Sequence, residues 1–309
     1  MSLEVIEPGF LTTVQDLGRW GYVHLGIGVC GAMDPFALMA ANVLVGNDPG
    51  VVGKDPGAAA LEITLVGPTL RFQEPCIVAV TGGDLGPCID DRQMENWRTY
   101  LVRAGSILSF LGWRSGARAY LAASTGGFEG RPLRAGDRLP VERSSGPQVA
   151  VLGASVPPEC RPPYSSEPTL RIILGPHLDR FTEEGIATFL GGRYQITTDS
   201  NRMAYRLEGP KITHSRGADV SSCGIPLAGI QVPGVGQPIL FMADKPMGGG
   251  YPQIAAVIQA DIPLAAQCLP GDWLKFRLTT HQEARESLAH MMRDLRVIVK
   301  HGGDGLYSA

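Results

Sequence analysis

The sequence predicts a mainly β protein with a few helices, an α+β chain built as two similarly folded domains in tandem. Strand-like segments recur at short intervals, at residues 3–6, 61–65, 69–72, 77–81, 107–111, 117–123 and 149–152, with turn signals between them. That spacing marks a barrel or sandwich and argues against a βαβ array. Gly 40 and Pro 24 in 309 residues supply the turns such a fold needs. The second half also replays the first in order. Leu170-Arg171-Ile172-Ile173-Leu174-Gly175-Pro176 echoes Leu3-Glu4-Val5-Ile6-Glu7-Pro8-Gly9, and Leu207-Glu208-Gly209-Pro210-Lys211-Ile212 echoes Leu65-Val66-Gly67-Pro68-Thr69-Leu70. Gly271-Asp272-Trp273-Leu274-Lys275-Phe276 likewise echoes Gly105-Ser106-Ile107-Leu108-Ser109-Phe110. A strand after a Gly turn is common, so no single echo carries weight; their shared order points to two like domains.

The first strand, 3–6, alternates weakly and stops at Pro8-Gly9. Residues 15–19 read as a polar turn ahead of the glycine-rich stretch 26–31. The clearest helix follows. Asp34 caps it, Pro35 suits the first helical position, Phe36, Met39, Ala40 and Val43 recur at helical spacing, and Gly46 supplies the left-handed end. Residues 156–168, rich in Pro, Ser and Glu, read as a linker. The chain is long for one core. The expected division is therefore an N-terminal domain at 1–160, a C-terminal domain at 169–292 and a tail at 293–309. In the second domain a helix over 182–190 ends at Gly191, as the first ends at Gly46. Asp261 and Pro263 open a short helix through Cys268, which Pro270-Gly271 ends. Thr280 with Glu283 makes a capping box for a final helix to residue 292, and the tail from Gly302 reads as frayed.

Composition excludes several classes. An apolar fraction of 44% and a charged fraction of 18% fit an ordinary globular protein. The net charge of -3 gives no reason to expect nucleic acid or an anionic membrane as partner. No basic, apolar leader opens the sequence and no run of about 20 apolar residues occurs, which points to a cytoplasmic protein. Cys30, Cys76, Cys88, Cys160, Cys223 and Cys268 are scattered with no CxxC pair, so free thiols are expected, with neither a disulfide framework nor a zinc site. The histidines show no metal-ligand spacing, and no metal site is expected.

No standard catalytic signature is present: the chain lacks GxxxxGK[ST], GxSxG, HExxH and a Rossmann GxGxxG after a strand. No lysine sits between methionines, so the chain carries no covalent biotin. Two polar, glycine-bordered segments remain. Gln15, Asp16 and Arg19 put an amide, a carboxylate and a guanidinium within five residues beside Gly18. Read by itself, a tight turn, with Asp16 bonding backbone N–H groups and pairing with Arg19, explains that segment better than function does. The second segment places Gln231, Gln237, Asp244, Lys245 and Tyr251 around an apolar strand and the run Gly248-Gly249-Gly250. Backbone N–H groups of a glycine run hold oxyanions or phosphates, and a neighbouring lysine neutralises charge. A hairpin loop is the plain alternative, but two glutamines are uncommon choices for a simple turn.

These segments carry a family resemblance. Leu11-Thr12-Thr13-Val14-Gln15-Asp16-Leu17-Gly18-Arg19, Gly31-Ala32-Met33-Asp34, and residues 40–47, 59–72, 200–209, 229–238 and 249–252 resemble the KipA family. That family is also described as the C component of 5-oxoprolinase, as allophanate hydrolase subunit 2, or as half of the urea carboxylase carboxyltransferase domain. The resemblance runs to about residue 288. It implies two cyclophilin-like β-barrel domains, with a KipI-like protein as partner subunit. A further, LamB/YcsF-like partner would complete ATP-dependent opening of 5-oxoproline to glutamate. By the same analogy Asp16, Asp244 and Lys245 are the catalytic candidates, with Gln15, Arg19, Gln231, Gln237, Gly249, Gly250 and Tyr251 binding substrate. ATP would be bound with or by the partners. Two other readings follow from the same resemblance: a biotin-dependent carboxyltransferase component acting on urea or a related amide, and a non-catalytic antagonist of a histidine-kinase inhibitor.

The sequence departs from the family pattern in places. Pro246-Met247-Gly248 stands where polar residues and threonines are usual, and Cys223 where a Glu is common. Residues 50–57 look inserted, with Asn47-Asp48-Pro49-Gly50 echoed by Lys54-Asp55-Pro56-Gly57. The loop after Ala123 is cut to Ser124-Thr125-Gly126-Gly127.

Overall fold

The computed structural model describes residues 2–125, 130–140 and 152–301. The strand expected at 149–152 lies almost wholly outside the described residues, and the tail from Gly302 lies entirely outside them. The chain is mainly β with four α-helices, α1 (Pro35–Leu44), α2 (Glu183–Gly191), α3 (Ile262–Ala266) and α4 (His281–His301). It separates into two compact units. The first takes Met1–Trp20, Asp34–Pro162 and the chain from Met291, and the second takes Gly21–Met33 and Pro163–His290. The expected division therefore shifts in two places: Gly21–Met33 leaves the first domain, and the helix from Met291 joins it. Gly21–Met33 belongs to the second unit, because Met33 is buried in that unit's hydrophobic core.

In the first unit the strands form two sheets. The six-stranded one runs Arg138–Pro140, Ser2–Glu7, Thr69–Phe72, Ile107–Phe110, Pro87–Ile89 and Arg92–Gln93 in spatial order. The five-stranded one runs Leu11–Gln15, Ala59–Thr64, Ser115–Thr125, Cys76–Asp84 and Arg98–Val102. Leu3, Val5, Leu70, Phe72 and Leu108 from one sheet share a core with Leu61, Ile63, Val78, Val80 and Leu121 from the other. That burial is what holds the sheets face to face.

Helix α1 is buried at all ten positions, as a helix apolar on every side must be, and its one polar residue, Asn42, donates to the Ala58 carbonyl at 2.7 Å and accepts from Asn47 Nδ2 at 2.9 Å. Asp34 Oδ1 accepts from the Ala37 N–H at 2.9 Å, Pro35 occupies the first turn, and Gly46 sits at φ 79° as the left-handed end. Thr81 Oγ1 donates to the Ala37 carbonyl at 2.7 Å and ties the helix to the sheet beneath it. The Tyr120 hydroxyl donates to Glu62 Oε2 at 2.7 Å and accepts from Asp34 N at 2.8 Å. Burial above all, then the negative charges of Glu62 and Asp34, push that hydroxyl well above its usual range, so it stays a donor. The echoed turns also find a physical role. Gly50 N donates to Asp48 and Gly57 N to Asp55, and the two glycines back onto each other so closely that a Cβ on Gly50 would lie 2.6 Å from Gly57 N.

The second unit is a closed barrel of seven strands, ordered Thr169–Leu174, Gln253–Val257, Gly229–Gln231, Ile239–Phe241, Ala204–Glu208, Arg193–Ile196 and Trp273–Leu278. A closed ring of antiparallel neighbours needs an even strand count. Seven strands therefore force one parallel pair, and Thr169–Leu174 against Trp273–Leu278 supplies it. Leu170, Ile172, Tyr194, Leu207, Ile230, Leu240, Ile254 and Phe276 fill the interior. The expected barrel is thus closed here, while the first unit keeps its strands in two sheets.

Three local expectations need correction. Gln15, read as the opening of a polar turn, instead ends a strand over residues 11–15 paired with Ala59–Thr64, because β-branched Thr12, Thr13 and Val14 suit an extended backbone. Helix α3 opens at Asp261 with Pro263 in its first turn, but it ends at Ala266, short of Cys268; the Asp261 carboxylate makes no cap bond and instead takes the Arg171 guanidinium and accepts from the Arg171 backbone N–H at 2.7 Å. The last helix runs to His301, past residue 292. Its capping box is present: Glu283 N donates to Thr280 Oγ1 at 3.1 Å and Thr280 N to Glu283 Oε2 at 3.3 Å. All six cysteines are free thiols, and no helix among the described residues is long and apolar enough to cross a membrane.

Candidate functional site

The ten candidate residues divide between the units. Gln15, Asp16 and Arg19 lie in the first; Gln231, Gln237, Asp244, Lys245, Gly249, Gly250 and Tyr251 lie in the second.

In the first group, Gln15 ends the strand Leu11–Gln15 and its Nε2 donates to Thr13 Oγ1 at 3.1 Å. Asp16 Oδ1 accepts from Gly18 N at 2.7 Å, which closes a local turn with Gly18 at φ 95°. Arg19 is exposed and forms no ion pair with Asp16 among the described residues. The local arrangement is that of a turn, with the guanidinium free to solvent.

The second unit concentrates more chemistry. Lys245 follows the strand Ile239–Phe241 and is half-buried, with no ion pair among the described residues. Burial pushes its amine below the ordinary lysine range, and the nearby Cys30 thiol partly opposes that shift. Its neighbour Asp244 is already engaged. Arg202 Nε donates to Asp244 Oδ2 at 2.8 Å and its Nη2 to Oδ1 at 3.2 Å. The same Nη2 reaches the Gly31 carbonyl at 2.6 Å. Arg202 therefore pins the loop before α1 to the Asp244–Lys245 turn. Cys30 sits in that loop at φ 56°, followed by Gly31 at φ 98°, a pair of left-handed residues that brings its thiol to the Lys245 turn. Left-handed backbone costs a non-glycine residue about 1–2 kcal/mol, so the contact is held by the surrounding structure.

Gln237 makes two bonds to one backbone position. It accepts from Gly209 N at 2.9 Å and donates to Gly209 O at 3.0 Å, so its amide fastens one barrel connection to another. Gln231 is different. It is 1% exposed, and its Nε2 has no hydrogen-bond partner among the described residues. Over it lies Gly249, in a two-residue ribbon pairing Cys223–Gly224 with Gly248–Gly249. Tyr251, beyond the ribbon, is exposed.

The sequence singles out Lys245, Gln231 and the glycine run but gives no sign that Arg202 and Cys30 lie at the Asp244–Lys245 turn. Their contacts span 42 and 171 residues for Arg202 alone, and no local pattern encodes them.

A family profile described as the carboxyltransferase domain, subdomains A and B, matches residues 25–126 and 122–278. The chain belongs to that family. Within it, the C component of 5-oxoprolinase from Escherichia coli K12 is 33% identical over 94% of this chain and 96% of its own length. Its counterpart of the same name from Haemophilus influenzae is 32% identical over 91% of this chain and 93% of its own. Among solved structures, the K. lactis urea amidolyase superposes with a TM-score of 0.87 at 30% identity over 96% of this chain. This chain spans only 20% of that much larger carboxyltransferase relative.

Proposed function

We propose that this carboxyltransferase-family chain is the C component of an ATP-dependent 5-oxoprolinase, opening 5-oxoproline to glutamate with KipI-like and LamB/YcsF-like partner subunits. The carrying observation is end-to-end coverage: the 5-oxoprolinase relatives match along more than nine-tenths of their own length, whereas this fold makes up 20% of the urea amidolyase chain.

The chemistry assigned to this chain is positioning and charge. Phosphorylating the lactam oxygen with ATP makes the ring carbon electrophilic. An oxygen-bound phosphate or a substrate carboxylate then needs a cation beside it. Lys245 is that cation, because Arg202 already neutralises Asp244 next to it. Half-burial strengthens the interaction of Lys245 with an incoming anion. Asp244, held by two bonds from Arg202, serves to orient the turn, and it is not assigned proton transfer.

A second reading is carboxyl transfer to urea or a related amide, favoured by the TM-score of 0.87 to the urea amidolyase. One experiment separates the two. The purified chain is mixed with both candidate partner subunits, ATP and 5-oxoproline, and glutamate is measured; a parallel mixture receives a biotin carboxyl carrier and urea. Glutamate appears only in the complete first mixture, and Lys245→Met lowers kcat/KM by about a hundredfold, the usual effect of removing one charge-stabilising group. A complete first mixture without glutamate rejects the proposal, and urea-dependent decarboxylation of the carrier establishes the second reading instead.

A further inference from the structure

Glycines 248–250 are not there for backbone freedom, since none of them adopts a left-handed φ. Gly249 is there for space. A Cβ at that position would stand 2.9 Å from Gln231 Oε1, 3.2 Å from Gln231 Nε2 and 2.9 Å from Ile225 Cδ1. The Gln231 carboxamide thus lies where the side chain of residue 249 would project. Its buried Nε2 has no partner among the described residues, and leaving a buried donor unpaired is costly. Native proteins satisfy such groups, and exceptions concentrate where function requires them. The cover is slight. Two residues on each side form the ribbon, flanked by bonds from Ile225 N to Met247 O at 3.1 Å and from Val220 N to Gly250 O at 2.9 Å. Short ribbons open more readily than barrel strands.

We infer that Gln231, beneath Gly249, is a recognition element for cis amides: lactam- or urea-type groups whose N–H and C=O lie on the same side. A carboxamide offers a donor and an acceptor side by side. A cis amide offers the same pair reversed, so the two join by two parallel N–H···O bonds. Exchange of the amide oxygen and nitrogen of Gln231 leaves this complementarity intact. A lactam alkylated on nitrogen has lost its donor and makes one bond at most. The glycine at 249 lets the ribbon lie directly on the carboxamide, so that lifting the ribbon uncovers both of its polar atoms. The substrate class rests on the amide-processing function proposed above; the binding test does not require turnover.

The test uses the isotope-labelled full-length chain, titrated with 2-pyrrolidinone or with N-methyl-2-pyrrolidinone and followed by NMR. The side-chain amide signal of Gln231 is identified by its loss in Gln231→Met. The first lactam moves that signal, and the N-methyl analogue binds about tenfold more weakly, because a site built to pair with an N–H rejects a ligand lacking it. Gln231→Met and Gly249→Ala each weaken 2-pyrrolidinone binding about tenfold, the first by removing the pairing group and the second by filling its access. Gln231→Met keeps or raises the melting temperature, since it removes an unpaired donor. Equal binding of the two lactams, unchanged binding in both variants, or no response of the parent chain up to the solubility limit overturns the inference. Glutamate formation by assembled subunits that survives Gln231→Met also overturns it while leaving the proposed function standing. Selective lactam binding without glutamate formation supports the inference and counts against that function.

Discussion

Arg131 donates to both carboxylate oxygens of Asp137, at 2.8 and 2.9 Å, and Arg134 N adds a third bond at 2.7 Å. The Arg131 bonds lead in holding Asp137 at about 2, below the ordinary value of 3.8, against an opposing push from burial. The sign follows from linkage. A carboxyl whose folded pKa is depressed contributes stability in full above the unfolded value, and that contribution disappears as pH falls through the folded one. Arg131→Gln therefore lowers the melting temperature at neutral pH, and the gap from the parent closes between pH 3.8 and about 2. Thermal melts of both proteins across that window check it; a gap independent of pH would show that Arg131 acts through packing alone. The contrast with Lys245 is instructive. Arg131 and Arg202 each hold a carboxylate, whereas half-buried Lys245 has no ion pair among the described residues, a contrast that supports the role proposed for it.

Helix ends were the most legible elements, because their chemistry is local. Asp34-Pro35 and Thr280-x-x-Glu283 named their own helix starts, and the side-chain bonds are those the residue types prescribe. Thr280→Ala removes the bond to Glu283 N and costs about 1 kcal/mol, while Thr280→Ser keeps most of it. Amide hydrogen exchange at Glu283 and Ala284 reads this directly, with faster exchange in the alanine variant only. Exchange unchanged in Thr280→Ala would mean that the helix start is held by its packing. Where local chemistry had two uses, it misled. Asp261-x-Pro263 does open α3, but a guanidinium 90 residues away took the carboxylate that would have capped it. Gln237 looked like a ligand group and is spent on the backbone of Gly209. The polar look of Thr12-Thr13-Val14-Gln15 hid a strand that β-propensity alone favours. Gln231 was visible as an unusual residue beside glycines, but its burial and missing partner belong to the barrel.

For the whole molecule, each compact unit has a hydrophobic core of its own among the described residues. The mainly β character and the repeat were legible because strand spacing and turn residues lie along the chain; the seven-strand closure was not, since it depends on pairing residues about a hundred positions apart in parallel register. That closing pair is supported from one side by α2, whose Phe189 is fully buried and stacks on Phe276 of Trp273–Leu278 with ring centroids 4.8 Å apart. Tyr194, on the adjoining strand, completes the cluster at 6.1 Å from Phe189. Phe189→Ala removes a fully buried ring at the junction of three elements, and such truncations cost about 3–5 kcal/mol from lost transfer energy and the cavity left behind. Because Phe189 belongs to the second unit's core and the Leu61, Ile63 and Val80 cluster to the first, the loss falls unevenly. Amides of Leu170–Leu174 and Leu274–Phe276 exchange faster in Phe189→Ala, while those of Ala59–Thr64 and Cys76–Asp84 keep their protection. Phe189→Leu, which fills more of the space, recovers over half of the difference. A uniform loss of protection across both sets would mean that the two cores unfold as one, and the aromatic cluster would then be a support of the entire chain and not of the barrel's closing pair.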